Sequence, residues 1–338
     1  MATIKDVAEA SGYSVCTVSK AISGKGYIRD STREKILKVV KEIGYSPNHL
    51  AVSLKTGRTY ALALIVPDVT NIYFPRLEKY VERYAEEKGY MVYLCNANHD
   101  LEREKKFIES FSQGRVDGVL ITPCSEEHRH IQKLQETEIP YLILNRSYED
   151  DRDHCLPLDN EKGAYACVTY LLEHGYRKIG GVFQSFSNSS HRDRYRGVMR
   201  AIEKHGCSLD EMMCLFGMDD LEMAHVQIGQ LLSRENRPEA IFAANDMLAL
   251  SVYQAAYEQS LRIPDDLAVV GYDNSIIADK LAPKLTSFYQ PAKECSRCAV
   301  DYITAAIEGR ELPPLQMLEG ELVERESVGD RQPARVAV

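Results

Sequence analysis

Thr3-Ile4-Lys5-Asp6-Val7-Ala8-Glu9-Ala10-Ser11-Gly12-Tyr13-Ser14-Val15-Cys16-Thr17-Val18-Ser19-Lys20-Ala21-Ile22-Ser23 is the stretch on which the fold turns. Thr3 and Asp6 have capping-box spacing: the Thr3 hydroxyl can accept from the Asp6 amide while the Asp6 carboxylate reaches back to the helix start. A helix then runs to Ser11. Gly12 permits a tight turn, and Ser14 can cap a second helix over 15–23 after about three linking residues. Two helices joined that closely form a helix-turn-helix. Ser31-Thr32-Arg33-Glu34 has the same capping spacing. Ile36, Val39, Val40 and Ile43 follow at helical intervals, so a third helix closes a small core with Ile4, Val7, Ala8, Val18 and Ile22.

Working outward, charge divides the chain. Residues 1–60 hold ten Lys or Arg and five acids, a formal +5, while the whole chain carries −9. A basic head on an acidic body fits a protein that neutralises phosphates only where it touches a duplex. The 338 residues, 44% of them hydrophobic, allow two or three domains with sizeable cores. No apolar run approaches the roughly 20 residues of a membrane span, and the N-terminus has no signal-peptide h-region. A cytoplasmic protein is expected. The nine cysteines are odd in number and scattered, as reduced packed thiols are. Cys295 and Cys298 form a lone CxxC with no second pair or nearby His to complete a tetrahedral site.

From Ala61 onward apolar runs alternate with amphipathic ones. Segments 61–66, 91–94, 119–122 and 141–145 read as buried parallel strands, with helices over 74–88, 101–113 and 126–137 between them. A second series follows: 163–174, 179–183, 194–205, 223–234, 240–244, 247–259 and 267–272. The fold class expected is α/β: an N-terminal all-α helix-turn-helix DNA-binding domain and two doubly wound parallel-sheet lobes. Such sheets take ligands beyond the carboxyl ends of their strands, so a cleft between the lobes is the expected small-molecule site.

Ile4-Lys5-Asp6-Val7-Ala8, Thr17-Val18-Ser19-Lys20, Thr32-Arg33-Glu34-Lys35-Ile36, Gly44-Tyr45-Ser46-Pro47-Asn48 and Ser53-Leu54-Lys55 together resemble the DNA-binding end of the lactose-repressor (LacI/GalR) family. The resemblance continues through Pro67-Asp68-Val69-Thr70-Asn71, Val116-Asp117-Gly118, Arg194 with Gly197, Arg237-Pro238, Ala244-Asn245-Asp246, Gly271-Tyr272-Asp273-Asn274 and Leu322-Val323-Glu324-Arg325-Glu326-Ser327. It implies a homodimeric repressor with a periplasmic-binding-protein-like core, whose inter-lobe effector alters the spacing of its two DNA heads. It also implies three crossovers between lobes, near 158–160, 289–291 and 319–321. The domains are then 1–46 for the head, 47–59 for a hinge helix and linker, and 60–338 for the core. Within the core the N-lobe takes about 60–158 plus 290–319, and the C-lobe about 159–289 plus 320–330.

On the second helix, Val15, Cys16, Thr17 and Lys20 sit where a helix-turn-helix faces major-groove base edges. Val15 and Cys16 offer apolar or weakly polar contacts, and Lys20 can donate to guanine or phosphate; the family often has Arg there, so a bidentate contact is lost here. Ser14, Thr17, Ser19 and Ser23 can donate to phosphates or cap helices. By resemblance, 48–55 is a hinge helix entered through Ser46 and Pro47, too short to be stable alone. Leu54 would be the wedge entering a base step from the minor groove. Thr3, Tyr45, Asn48, Ala51 and Lys55 complete the expected DNA contacts.

By the same resemblance Arg194, Asn245 and Asp273 line the effector cleft. A carboxylate can accept from two vicinal hydroxyls, a guanidinium donates in a fork, and an amide does both. Tyr73 and Phe74 offer a flat apolar face. Asp68, Asn145, Arg146, Arg192 and Gln290 are further contributors that could equally cap helices or pair across the lobes. Asp219 stands where relatives have an aromatic, which disfavours a flat base and suits hydroxyls or an amine. Ile72 replaces a usual proline. His191 beside Arg192 and Arg194 keeps a sugar acid or phosphosugar open.

The expected function is a transcriptional regulator released from a palindromic operator when a small sugar or sugar derivative binds. A purine, nucleoside or phosphorylated co-repressor is the alternative on the same scaffold, and a solute-binding protein is the competing class. No P-loop, GxGxxG after a strand, GxSxG or HExxH appears, so neither enzymatic activity nor a cofactor is expected. The expected partners are double-stranded operator DNA, the effector and a second copy of the chain, with no membrane. The segment 329–338 has no leucine heptads, so a dimer is expected and not a tetramer.

Overall fold

The computed structural model describes residues 2–23, 27–45, 57–207, 210 and 213–331. The chain forms two compact units, Met1–Thr59 and Tyr60–Val338.

In the first unit, α1 (Ile4–Ser11), α2 (Val15–Ser23) and α3 (Asp30–Glu42) enclose a four-residue centre of Val7, Val18, Ala21 and Ile36. The capping box at Thr3 is formed: the Asp6 amide donates to Thr3 Oγ1 (3.4 Å) and the Thr3 amide donates to Asp6 Oδ2 (2.7 Å). Gly12 ends α1 in the left-handed region (φ 73°) that a side chain disfavours. Ser14 Oγ accepts from the Thr17 amide (3.2 Å) and so caps α2. The expected box at Ser31 does not form. The Thr32 and Arg33 amides already donate to the Arg29 carbonyl (2.9 and 3.0 Å), so the first turn closes before Ser31 can serve as its cap. Asp30, one residue earlier, places its charge at the helix N-terminus. The hinge helix expected over 48–55, with Asn48, Ala51, Leu54 and Lys55, lies outside the described residues, as do 332–338.

The second unit contains two sheets. In the first, β1 (Ala61–Val66), β2 (Met91–Asn96), β3 (Gly118–Ile121), β4 (Tyr141–Leu144) and β5 (Cys155–Leu156) run parallel in the order β2-β1-β3-β4-β5. The β1 side chains alternate between two cores. Leu62, Leu64 and Val66 face α4 (Tyr73–Glu87) and α11 (Ala292–Glu308), while Ala61, Ala63 and Ile65 face α5 (Leu101–Phe111) and the short α6 (Lys133–Glu136). Both faces are covered, so the strand is apolar throughout.

The second sheet has the order β11-β10-β9-β8-β6-β7, built from β6 (Ile179–Val182), β7 (Cys214–Leu215), β8 (Ala240–Ala243), β9 (Ala268–Asp273), β10 (Thr286–Tyr289) and β11 (Glu321–Val323). All pairs are parallel except β10 with β11, which is antiparallel and makes this lobe's sheet mixed. Its helices are α7 (Asn160–Glu173), α8 (Ser189–Lys204), α9 (Leu221–Leu232) and α10 (Asp246–Glu258). Because α11 packs on the first sheet, the chain passes between lobes before α7, between β10 and α11, and before β11.

Two further readings need correction. The 91–94 run is not buried: β2 is an edge strand with Met91, Tyr93 and Leu94 43–62% exposed. The helix expected over 126–137 shrinks to Lys133–Glu136. Tertiary contacts hold the preceding residues in turns, with the His128 ring stacked on Tyr148 and His130 Nε2 2.8 Å from the buried Glu104 carboxylate.

The α7–α8 contact is unusually close at Gly197, where a Cβ would lie 2.2 Å from the Glu161 carbonyl oxygen and 2.8 Å from the Tyr165 amide nitrogen. Neither backbone atom can rotate away. Gly197→Val is expected to cost about 3 kcal/mol through forced separation of the helices, read as a lowered melting temperature of the full chain.

Candidate functional site

Many of the polar residues between the lobes follow a parallel strand at its carboxyl end. Asp68 follows β1, His99 follows β2, Asn145 and Arg146 follow β4, Gln184 follows β6, Asn245 follows β8, Asp273 ends β9, and Gln290 follows β10. This is where doubly wound sheets leave backbone and side chains free to meet a ligand. They line one cleft of about 770 Å³, open mouth included. Three of these positions have backbone conformations rare for side-chain-bearing residues, His99 (φ 55°), Asn145 (φ 59°) and Asp273 (φ 110°). Such strain is concentrated where function fixes a side chain's aim.

Asp273 is buried and accepts from Gln290 Nε2. Arg194 Nη2 lies 4.0 Å from its Oδ1. The Arg194 guanidinium rests on the Tyr272 ring (3.9 Å to the centroid), with Nε donating to Asn160 (2.9 Å) and Nη1 to the Ala244 carbonyl. Asn245 caps α10, its Oδ1 accepting from the Leu248 amide (2.8 Å) and its Nδ2 donating to Gln184 (3.0 Å). On the opposite lobe, Asn145 Nδ2 donates to the Tyr73 hydroxyl (2.6 Å), and the edge of Tyr73 meets Phe74. Arg146 Nη1 donates to the Asn145 carbonyl (2.9 Å) and across the cleft to Ser190 Oγ (2.6 Å). At the mouth, Asp68 accepts from the Thr70 amide (2.9 Å), and exposed Asp219 accepts from the Ser185 amide (3.2 Å). The nearby His99 ring, then the Thr70 donors, hold the Asp68 carboxyl down at about 2. Burial first, then Arg146 and Arg194, keep the His191 ring well below its ordinary value and so neutral.

Ten of the eleven expected effector residues thus line one cleft: Asp68, Tyr73, Phe74, Asn145, Arg146, Arg194, Asp219, Asn245, Asp273 and Gln290. Arg192 does not line the cleft; it pairs with Glu126 of the other lobe at 2.9 Å. Two residues along a helix is a rotation of about 200°, so Arg192 and Arg194 cannot face the same way, whereas His191 and Arg194 can. Asn188, Ser190, His99, Gln184, Met218, Leu221 and Met247 also line the cleft and carried no reading in the sequence, where the helix was expected only from Arg194. The position of His99 and Gln184 just beyond strands could have marked them.

In the head, the α2 surface exposes Ser14, Val15 (42% exposed), Cys16 and Lys20, with Thr17 and Ser19 half-buried. Thr17 Oγ1 lies 2.9 Å from Ser14 Oγ. Thr3 is exposed at the α1 start, and Tyr45 packs half-buried on the core of the head.

Comparison with known proteins resolves what this pairing of parts belongs to. Residues 3–48 match the family model described as bacterial regulatory proteins, lacI family, and residues 168–328 match a periplasmic binding protein-like domain. The HTH-type transcriptional regulator DegA of Bacillus subtilis (strain 168) is 35% identical over 295 residues, 86% of this chain and 87% of that protein. The chain belongs to the lacI family of bacterial regulatory proteins.

This lacI-family chain is also 31% identical to the HTH-type transcriptional repressor PurR of Vibrio atlanticus (strain LGP32), over 97% of this chain and 99% of that one. The solved complex of the transcriptional regulator CelR with cellobiose superposes with a TM-score of 0.73 at 26% identity, covering 97% of this chain and all of CelR. The lacI-family chain is a DNA-binding transcriptional regulator with a ligand-binding core, and these relatives are regulators, not enzymes. No helix among the described residues is long and apolar enough to cross a membrane.

Burial holds the Asp273 carboxyl of this lacI-family core above the ordinary carboxylate range, with Arg194 drawing it part of the way back; burial also raises Asp246 beneath it. The folded state therefore keeps protons that the unfolded chain releases above pH ~4. That contribution to stability is complete below the unfolded pKa and is lost as pH rises through the raised folded values. The melting temperature of the native protein, relative to an Asp273→Asn variant, should fall as pH rises from ~4 toward neutrality. A difference independent of pH would show that Asp273 is ionised throughout.

Proposed function

We propose that this regulator is a homodimeric repressor that holds a palindromic operator with its two heads and releases it when a small sugar or sugar derivative binds between the lobes. The observation that carries this reading is the buried Asp273, positioned by Gln290 and flanked by Arg194 and Asn245. A carboxylate accepting from two hydroxyls beside a forked donor and an amide suits a polyol. Tyr73 and Phe74 supply the apolar wall on which a sugar ring can lie. The structural relative CelR is held with cellobiose. The exposed Asp219 carboxylate disfavours a flat apolar base.

On the DNA side, exposed Val15, Cys16 and Lys20 would meet base edges, with Ser14, Thr17 and Ser19 near phosphates. Leu54, with Asn48, Ala51 and Lys55, would enter the minor groove at the centre of the operator. Tyr45 and Thr3 would brace the backbone contacts. A two-fold dimer requires matching half-sites. Exposed apolar side chains support the dimer: Met91, Tyr93 and Leu94 on the β2 edge, Met223 and Val226 on α9, and Ile276.

The test is a thermal-shift panel of sugars, sugar derivatives, nucleosides and nucleobases on the full chain, followed by operator binding with each hit. A ligand at 100 times its dissociation constant stabilises by about 2.7 kcal/mol. The reading expects a shift from a sugar type that also weakens operator binding. A shift from a purine that strengthens operator binding would replace it with co-repression.

A further inference from the structure

Arg146 is a cleft residue only 6% exposed, and its charge is unmatched. Its Nη1 is occupied by the Asn145 carbonyl and Ser190 Oγ, both neutral, and its Nε is buried with no hydrogen-bond partner. Among the described residues no carboxylate comes within 4.0 Å of its guanidinium, whereas Arg194 has Asp273 at that distance. Glu104, the carboxylate of its lobe whose charge reaches it, is engaged by His130 Nε2 (2.8 Å) and the Cys124 amide (2.9 Å). The two carboxylates at the mouth, Asp68 and Asp219, accept from Thr70 and Ser185. Burying a guanidinium with neither an acid nor a full set of acceptors is unfavourable, and removing one partner of a buried pair has the same consequence. Arg146 itself lines the ligand cleft.

We propose that the effector carries an anionic group, a carboxylate or a phosphate, which seats against the Arg146 guanidinium and Ser190, while its hydroxyls turn to Asp273 and Asn245. The inference rests on the cleft reading above and narrows it to sugar acids and phosphosugars. Burial lowers the Arg146 guanidinium to about 10, still well above neutrality, so it stays charged at working pH. The neutral His191 ring lining the same cleft adds no charge to compete for the anion. An anion supplies the acceptors that Arg146 lacks and gains charge-assisted hydrogen bonds in return.

The test uses the full chain and matched sets: hexoses, the corresponding hexuronates and aldonates, and the hexose 6-phosphates, with acetate and inorganic phosphate as simple-anion probes. Affinities are read by thermal shift and calorimetry for the native protein, Arg146→Gln and Arg146→Lys. In at least one set the charged member should bind at least about tenfold tighter than its neutral parent. Arg146→Gln should weaken that member about ten- to a hundredfold and the neutral parent far less, and Arg146→Lys should recover part of the preference. The uronate and phosphate arms decide which anion it is. Neutral sugars binding as well as their acids, with a preference unmoved by Arg146→Gln, would overturn the inference and leave the cleft reading standing. Equal weakening of charged and neutral members in Arg146→Gln would make Arg146 a tie between lobes and overturn it too. Silence from every compound, simple anions included, would overturn both.

Discussion

Asp273→Ala should lower effector affinity at least about a hundredfold, because two hydroxyl hydrogen bonds to a buried carboxylate are each worth about 1.5–3 kcal/mol. The residue is buried, aimed by a left-handed backbone (φ 110°) and steadied by Gln290 Nε2. Its removal also leaves Arg194 without its acid at 4.0 Å and Gln290 without its acceptor. Asp273→Asn keeps the shape and one acceptor, so it should lose less. Operator affinity without effector should be unchanged in both variants, since the head is a separate compact unit. Calorimetry with the effector and fluorescence anisotropy on the operator check the two halves. A normal effector response in Asp273→Ala would place the effector elsewhere.

Val18→Asp should abolish operator binding altogether. Val18 is completely buried among Val7, Ala21 and Ile36, the only fully enclosed apolar group in the head among the described residues. A core that small supplies about 3–5 kcal/mol, and a carboxylate forced into it costs several kcal/mol. The head should unfold and operator affinity should fall to the non-specific level, about a thousandfold or more weaker. The core unit should melt as before and still bind effector, as separate melting transitions would show. Retained operator binding would mean that α2 does not depend on this packing for its shape.

The same local logic explains how much could be seen without coordinates. Caps at Thr3 and Ser14 involve residues three apart, so sequence spacing is their geometry, and α1 and α2 were visible. At the start of α3, Asp30 and Ser31 compete as starting signals one residue apart, and propensity cannot choose between them. The 91–94 run is apolar whether its strand is central or at an edge; only its neighbours decide. The segment before Lys133 is amphipathic, yet His128 and His130 are drawn to Tyr148 and Glu104, partners 20 or more residues away. Strands of two or three residues, β5, β7 and β11, are too short for periodicity to register. In the cleft, Asp273 and Asn245 stood out as polar residues ending apolar runs. Ser190 and Asn188 did not, because a Ser- and Asn-rich helix start has an ordinary structural use, which Asn188 does serve.

The central claim is that effector and operator compete through one two-state core. Linkage makes the test quantitative: if effector weakens operator binding by some factor, operator must weaken effector binding by the same factor. The measurement is effector affinity of the whole chain with and without saturating operator, beside operator affinity with and without saturating effector. The operator is first obtained by selection from genomic fragments. The account predicts equal factors of about 5–150-fold in both directions. Operator affinity that is indifferent to a ligand bound in the cleft would contradict it.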